Sequence, residues 1–206
     1  MEHSNKDGKL EFEGEYLNGK RNGKGKEYHD NGELKYEGEY LNGKRNGKGK
    51  EYHDNGELKF EGEINGKGKE YNKNGKLEFE GEYFNGKRWN GIKREYHDNG
   101  KLKFKGEYLN GKRNGKGKEY NSNGKLVFEG EYLKGERNGK GKEYNFLSRL
   151  EFEGEYLKGE RNGKGKEYNY FGELIFEGEY LNGKKWNGKV KEYEFEGEYL
   201  NGKRIE

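Results

Sequence analysis

Apolar and polar positions alternate with a period of two along most of the chain. Leu10, Phe12, Gly14 and Tyr16 fall on one side of an extended segment, and Glu11, Glu13 and Glu15 fall on the other. That pattern predicts a β-strand with one packed face. Asn18-Gly19 and Asn22-Gly23 follow, and because Asn and Gly tolerate positive φ they are read together as a turn. Lys24 to Tyr28 predicts a short second strand, and Asp30-Asn31-Gly32 turns the chain again. No 3.6-residue period is present and glycine recurs every few residues, which argues against helix. One unit is therefore a β-hairpin.

The unit repeats through the chain. Its central glycine stands at Gly14, Gly38, Gly62, Gly81, Gly106, Gly130, Gly154, Gly178 and Gly197, at spacings of 24, 24, 19, 25, 24, 24, 24 and 19. Residues 1–206 are read as a single array filled from about Lys9 to Arg204. The expected fold class is all-β: an elongated single-layer antiparallel meander of about nine β-hairpin repeats, twisted and curled. At about 4.8 Å per strand the ribbon would be roughly 80 Å long. An aromatic face is expected from Phe12, Tyr16, Tyr36, Tyr40, Phe60, Phe79, Tyr83, Phe104, Tyr108, Phe128, Tyr132, Phe152, Tyr156, Phe176, Tyr180, Phe195 and Tyr199. These rings are expected to line a concave side and to pack into slots left by the repeat glycines. On the other face, Glu11, Glu13 and Glu15 would pair across strands with Lys24 and Lys26.

Tyr36, Gly38, Tyr40, the Asn42-Gly43-Lys44 turn and Gly47-x-Gly49 together resemble a MORN repeat (membrane occupation and recognition nexus). The resemblance recurs over essentially the whole chain. The Asn-Gly-x-Leu-x-x-Glu-Gly portion also resembles the bacterial, antitoxin-associated variant of the repeat. The resemblance implies an elongated hairpin sheet, a non-catalytic scaffold role, and binding to proteins or phospholipids. One departure is that the second aromatic, often Trp in the family, is Tyr at Tyr16, Tyr40 and Tyr83 and Ile once, at Ile64.

Composition sharpens this reading. Only 26% of residues are hydrophobic and 40% are charged, a balance common in disordered chains. The net charge is only +3, however, and 18 Tyr, 11 Phe and 2 Trp are far from an aromatic-poor tail. Without Cys there is no disulfide framework and no thiolate metal site. Apolar runs no longer than Leu126-Val127-Phe128 can neither span a bilayer nor act as a signal peptide. A cytoplasmic protein is expected, peripheral to a membrane at most.

Candidate chemistry is sparse. His29-Asp30, His53-Asp54 and His97-Asp98 suggest metal pairs, but the same position elsewhere reads Asn72-Lys73, Asn121-Ser122 or Asn145-Phe146, as turn residues do. The serines lack a nucleophile-elbow context, and Gly-Lys-Gly-Lys lacks the spacing of a Walker motif. No enzyme activity, cofactor or metal is expected. Lys20, Arg21, Lys44, Arg45, Lys87, Arg88, Lys112, Arg113, Lys184 and Lys185 are expected to project from one edge, about 10 Å apart between hairpins, where they could attract anionic lipid. Glu136 and Glu160 interrupt the row. Trp89 and Trp186 are one-residue insertions before Asn-Gly, in copies that lose their second glycine to Lys93 and Val190; they read equally as interface anchors or as packed bulges. Phe146-Leu147-Ser148-Arg149 and Tyr170-Phe171 place apolar groups at turns on the opposite edge. Interleaved acid and base on the sheet face argues against nucleic acid.

The function these features favour is a non-enzymatic scaffold that binds a protein partner, or itself, through its aromatic face and edge strands. A peripheral anionic-phospholipid binder using the basic turns with Trp89 and Trp186 is the alternative, and an antitoxin or immunity role rests on family analogy alone. Three structural expectations follow. Asn65-Gly66 should form a two-residue type I′ turn flush with the sheet. The terminal repeats should support a homodimer or end-to-end contact. Lys189 to Leu200 should run as one long strand, leaving Phe195 to Tyr199 as a docking edge.

Overall fold

A computed structural model describes residues 1–4, 6–192 and 195–205. Among these there are nineteen β-strands and no helix, from β1 (Glu2–Ser4) to β19 (Lys203–Ile205). They fall in two compact units, 1–93 and 94–206. Within each unit successive strands pair antiparallel in chain order, so the all-β hairpin meander is borne out.

The first hairpin shows how the local sequence builds it. β2 (Leu10–Leu17) and β3 (Lys20–Tyr28) are joined by Asn18 and Gly19, with φ of 49° and 72°. Positive φ at both corners is what a type I′ turn requires, and Leu17 pairs directly with Lys20. In the second unit, Lys134 and Lys158 accept the same left-handed corner, at 53° and 51°.

Asn22-Gly23 is not part of the turn, contrary to expectation. It lies inside β3, where Asn22 to Lys24 oppose the single residue Glu15 between the Tyr16–Arg21 and Gly14–Gly25 pairs. Gly23 takes φ 93°, and a Cβ there would run into the Glu15 carboxylate. The positive-φ tolerance of Asn-Gly is used here for a bulge rather than a reversal.

Glycine sets the register. Gly25 pairs with Gly14 on one side and Gly38 on the other, and Gly141 likewise with Gly130 and Gly154. A Cβ on Gly141 would stand 2.7 Å from Cζ of Phe128. The ring lies over the bare backbone, as the expected slots require. Phe128 and Phe152 are fully buried, and Phe128 meets Tyr132 and Tyr156 edge-on at 5.8 and 5.3 Å.

The short third repeat forms a tight connection, but not the expected type. β6 (Leu58–Glu63) and β7 (Lys67–Tyr71) are joined by three residues, Ile64 to Gly66, and neither Asn65 nor Gly66 has positive φ. A type I′ turn is therefore excluded. Ile64 N donates to Gly47 O at 2.9 Å and Gly66 O accepts from Tyr83 N at 2.7 Å, so the connection is tied to both neighbouring hairpins.

The expected long strand does not form either. β17 (Lys184–Glu192) pairs antiparallel with β18 (Phe195–Leu200), through Gly188–Tyr199, Val190–Gly197 and Lys191–Glu196. Tyr193 and Glu194, on which the expectation also rests, lie outside the described residues. The β17–β18 register matches that of complete repeats, where Gly163 meets Tyr180 and Gly165 meets Gly178. The register is kept although Val190 stands where Gly165 stands in the complete repeat.

Candidate interaction surfaces

The aromatic side of the sheet is closed by its own arginines. Arg21 lies 4.2 Å over the Phe12 ring and donates to Glu27 at 2.9 Å. Glu27 also accepts from Arg45 at 2.6 Å and from the Tyr40 hydroxyl at 2.8 Å. In the second unit Glu119 holds Arg113 at 3.1 Å, Arg137 at 2.7 Å and Tyr132 at 2.7 Å, while Arg137 reaches on to Glu143 at 3.1 Å. Arg137 sits 3.8 Å over Phe128, and Arg161 pairs with Glu143. Burial on its own would raise these carboxyls. Arg45 and Tyr40 at Glu27, and Tyr132 and Arg137 at Glu119, overcome it and hold both below the ordinary carboxylate range.

Two expectations are corrected by this arrangement. Arg21, Arg45, Arg88 and Arg113 do not project from the edge; they are strand residues that stack on rings. The aromatic face is also not open for docking. Phe12, Tyr36, Tyr40, Phe60, Phe79 and Tyr83 in the first unit, and Phe104, Tyr108, Phe128, Tyr132, Phe152, Tyr156, Phe176 and Tyr180 in the second, are at most 7% exposed. They are the core. Tyr16 and Tyr199 are half-buried, and the Phe195 side chain lies outside the described residues.

The opposite face carries the open surface. Across the first unit, Glu13, Lys26, Glu37, Lys50, Glu61, Lys69 and Glu80 follow one another on paired strands in alternating charge. Beyond the glycine row a second line contains Lys24 opposite Glu39, Lys48 opposite Glu63 and Lys67 opposite Glu82. Between them lies a groove of about 1640 Å³ whose floor is glycine backbone, with Phe84 and Trp89 at one end. In this unit the hollow side is thus the Glu/Lys face rather than the expected aromatic side. The reason is volume: rings and guanidinium groups fill one side of the glycine row, and no side chain from that row reaches the other.

Of the expected Glu–Lys pairs, Lys26–Glu13 forms at 3.5 Å, repeated in the second unit by Lys118–Glu129 at 2.8 Å, whereas Glu15 accepts from the Lys24 backbone N–H at 3.2 Å and Glu11 lies 3.7 Å from His3. Sequence reasoning missed the tyrosine that ends the second strand of most repeats. Tyr28, Tyr52 and Tyr71 donate to Glu13, Glu37 and Glu61 at 2.8, 2.9 and 2.8 Å, and Tyr144 and Tyr168 do the same to Glu129 and Glu153. Burial, and then the Glu13 bond, push the Tyr28 phenol up to about 12. The signal was available in the period of two, which puts Tyr28 on the side of Lys26.

The remaining candidates separate. Lys20, Lys44, Lys87, Lys112 and Lys184 are exposed beside the turns, whereas Lys185 pairs with Glu167 at 3.0 Å beneath the Phe176 ring. Trp89 is 45% exposed and lies 5.8 Å from the exposed Phe84 ring. Trp186 packs against the last described turn, with Cε3 3.2 Å from the Cβ position of Gly202. His29, His53 and His97 each bring Nε2 to a carbonyl of the next repeat, those of Tyr52, Tyr71 and Tyr120, at 3.2, 3.0 and 2.8 Å. Phe146 and Tyr170 meet at 5.9 Å on the opposite edge, with Arg149 5.4 Å over Tyr170. Among the described residues no group of three His, Asp or Glu forms a metal-ligating cluster, and no helix is long and apolar enough to cross a membrane.

A glycine-registered hairpin array with a ring core on one side and an open polar face on the other defines a β-hairpin repeat protein. The MORN repeat model matches residues 12–33, 36–57, 104–125, 128–145 and 152–169, and a MORN repeat variant model matches 64–85 and 89–110. Together the matches cover more than half of the chain, which belongs to the MORN-repeat family. Repeats of this family are generally interaction modules. No curated protein sequence matches it significantly.

Proposed function

We propose that the chain is a non-catalytic scaffold over a single array, 1–206, that takes an extended segment of a protein partner in the groove of the first unit. The observation that carries this reading is the groove's construction: a side-chain-free glycine floor between two rows of alternating Glu and Lys. Because the rows neutralise themselves, the fitting segment is one of mixed charge that exchanges these exposed pairs for pairs with its own side chains. Such exchange sets specificity and register more than affinity. Exposed Phe84 and Trp89 supply the apolar anchor at the groove's end.

The test is affinity capture from a cell lysate with three proteins: the wild type, a groove variant (Glu37→Lys with Glu61→Lys), and a turn variant (Lys44→Glu with Lys112→Glu). A protein captured by the wild type and the turn variant but lost from the groove variant is the expected result. Retention by the groove variant would overturn it.

The second reading, anionic phospholipid at the basic turns, is supported by the exposed lysines and by Trp89. Flotation with anionic vesicles should then be salt-sensitive and lost from the turn variant. Cytoplasmic localisation and a homodimer belong to the same proposal; light scattering at high protein concentration should find a dimer, and a monomer throughout would remove that part.

A further inference from the structure

The Asn-Gly type I′ turns have one chemistry but two kinds of support. At Asn42-Gly43 both corner amides are tied to the preceding hairpin: Asn42 N donates to Asn22 Oδ1 at 3.4 Å and Gly43 N to Arg21 O at 2.9 Å. Asn182-Gly183 repeats this with Asn162 Oδ1 at 3.2 Å and Arg161 O at 2.9 Å. Asn201-Gly202 does so with Asn187 Oδ1 and Trp186 O, both at 2.9 Å. On the opposite edge Gly32 N, Gly56 N, Gly75 N and Gly124 N each donate within their own loop.

Asn85-Gly86 differs. It joins β8 (Leu77–Phe84) to β9 (Lys87–Tyr96) with φ of 51° and 68°, the same turn type. The hairpin before it is the short third repeat, whose last tie to β8 is Tyr83 N to Gly66 O. Past that point neither Asn85 N nor Gly86 N has an acceptor among the described residues, and a Cβ at Gly86 would meet nothing within 4 Å. Asn18-Gly19 is open in the same way, because β1 covers β2 only from Leu10 to Gly14. Asn110-Gly111, with φ of 51° and 74°, is also open: neither corner amide has an acceptor among the described residues.

An Asn-Gly peptide carries latent chemistry. The glycine nitrogen, once deprotonated, attacks Cγ of the asparagine; the N–Cγ bond forms, the Cγ–Nδ2 bond breaks and ammonia leaves. Water then opens the cyclic imide at either carbonyl, giving aspartate or isoaspartate. The balance is asparagine plus water to acid plus ammonia, with no oxidant or catalyst. Glycine has no Cβ to shield the nitrogen. An amide already donating a hydrogen bond must first surrender it, and the turn must leave its left-handed geometry to bring the two atoms together.

We propose that Asn85 is a site of spontaneous deamidation, together with Asn18 and Asn110, while Asn42 and Asn182 are protected by the hairpins before them. The product places a carboxylate next to Phe84, at the end of the first unit's groove, and isoaspartate lengthens the backbone of the two-residue turn by one methylene. This inference does not depend on what the groove binds.

The full chain is incubated in ¹⁸O-water at mildly alkaline pH, and its tryptic peptides are followed by mass spectrometry. The peptide 77–87 reports Asn85 and the peptide 36–44 reports Asn42, with nearly the same sequence around each Asn-Gly. In the folded chain Asn85 should convert roughly threefold to tenfold faster, the ratio set by one or two net hydrogen bonds. In concentrated urea the two rates should converge. Equal rates in the folded chain, or a faster Asn42, would overturn the proposal. So would an excess at Asn85 that persists in urea, which would trace to Phe84 in the local sequence; Phe84→Leu in the folded chain should keep the excess.

Discussion

The two faces of the sheet use charge in opposite ways. On the aromatic side, Arg137 bridges Glu119 and Glu143 while covering the Phe128 ring. On the other side, Lys142 and Glu153 meet at 3.4 Å with 48% and 34% of their side chains exposed. Both are Glu–cation pairs between neighbouring strands. The first is desolvated and holds a second layer over the rings; the second is screened by water. Among the described residues of this unit no helix covers the rings, so the arginines act as their lid.

This contrast orders the effects of substitution in the second unit. Phe128→Ala should cost the most, about 3–5 kcal/mol by chemical denaturation, because it removes the ring packed on Gly130 and Gly141 and leaves Arg137 without a platform. An effect as small as that of a surface substitution would show that the rings are not the core. Glu119→Gln should come next, at about 1–3 kcal/mol, since it removes the charge shared by Arg113, Arg137 and Tyr132.

Its pH dependence sharpens the comparison. The folded Glu119 carboxyl is held low, so its contribution is full above the ordinary carboxylate range and is lost as pH falls through the folded value. The stability gap between wild type and Glu119→Gln should therefore close on acidification. A gap that stays constant down to strongly acidic pH would break the argument.

Smaller effects belong to the other face. Tyr144→Phe removes the bond to Glu129 and should cost about 0.5–1.5 kcal/mol, with the phenol's raised titration disappearing from the absorbance curve. Lys142→Ala should change stability by less than about 0.5 kcal/mol, and less again in high salt. A larger loss than from Glu119→Gln would reverse the ranking of the faces.

Much of this was legible in the residues. Leu10 to Leu17 reads as a strand because alternation is a local property, and Asn18-Gly19 reads as a reversal because few other dipeptides accept two positive φ values. The ring stripe was legible as a stripe, but not as a closed core. Its closure depends on Arg21, Arg45 and Arg137 folding back over rings, and a basic residue beside a turn is usually solvated. The groove was missed for the same reason, since which side of the glycine row is hollow depends on which side those guanidinium groups fill.

The amino-acid sequence by itself determined the repeat, the strands, the type I′ corners and the rings that pack on glycine, because each rests on a period of two or on the φ preference of one or two residues. Tertiary structure alone decided the rest. It turned Asn22-Gly23 into a bulge opposite Glu15 and drew β18 back alongside β17 without a turn signature. It also left Asn85-Gly86 untied while Asn42-Gly43 is held. In each case the deciding quantity is what the neighbouring strand offers — a ring over bare backbone, a carboxylate or a carbonyl — and identical dipeptides meet different neighbours.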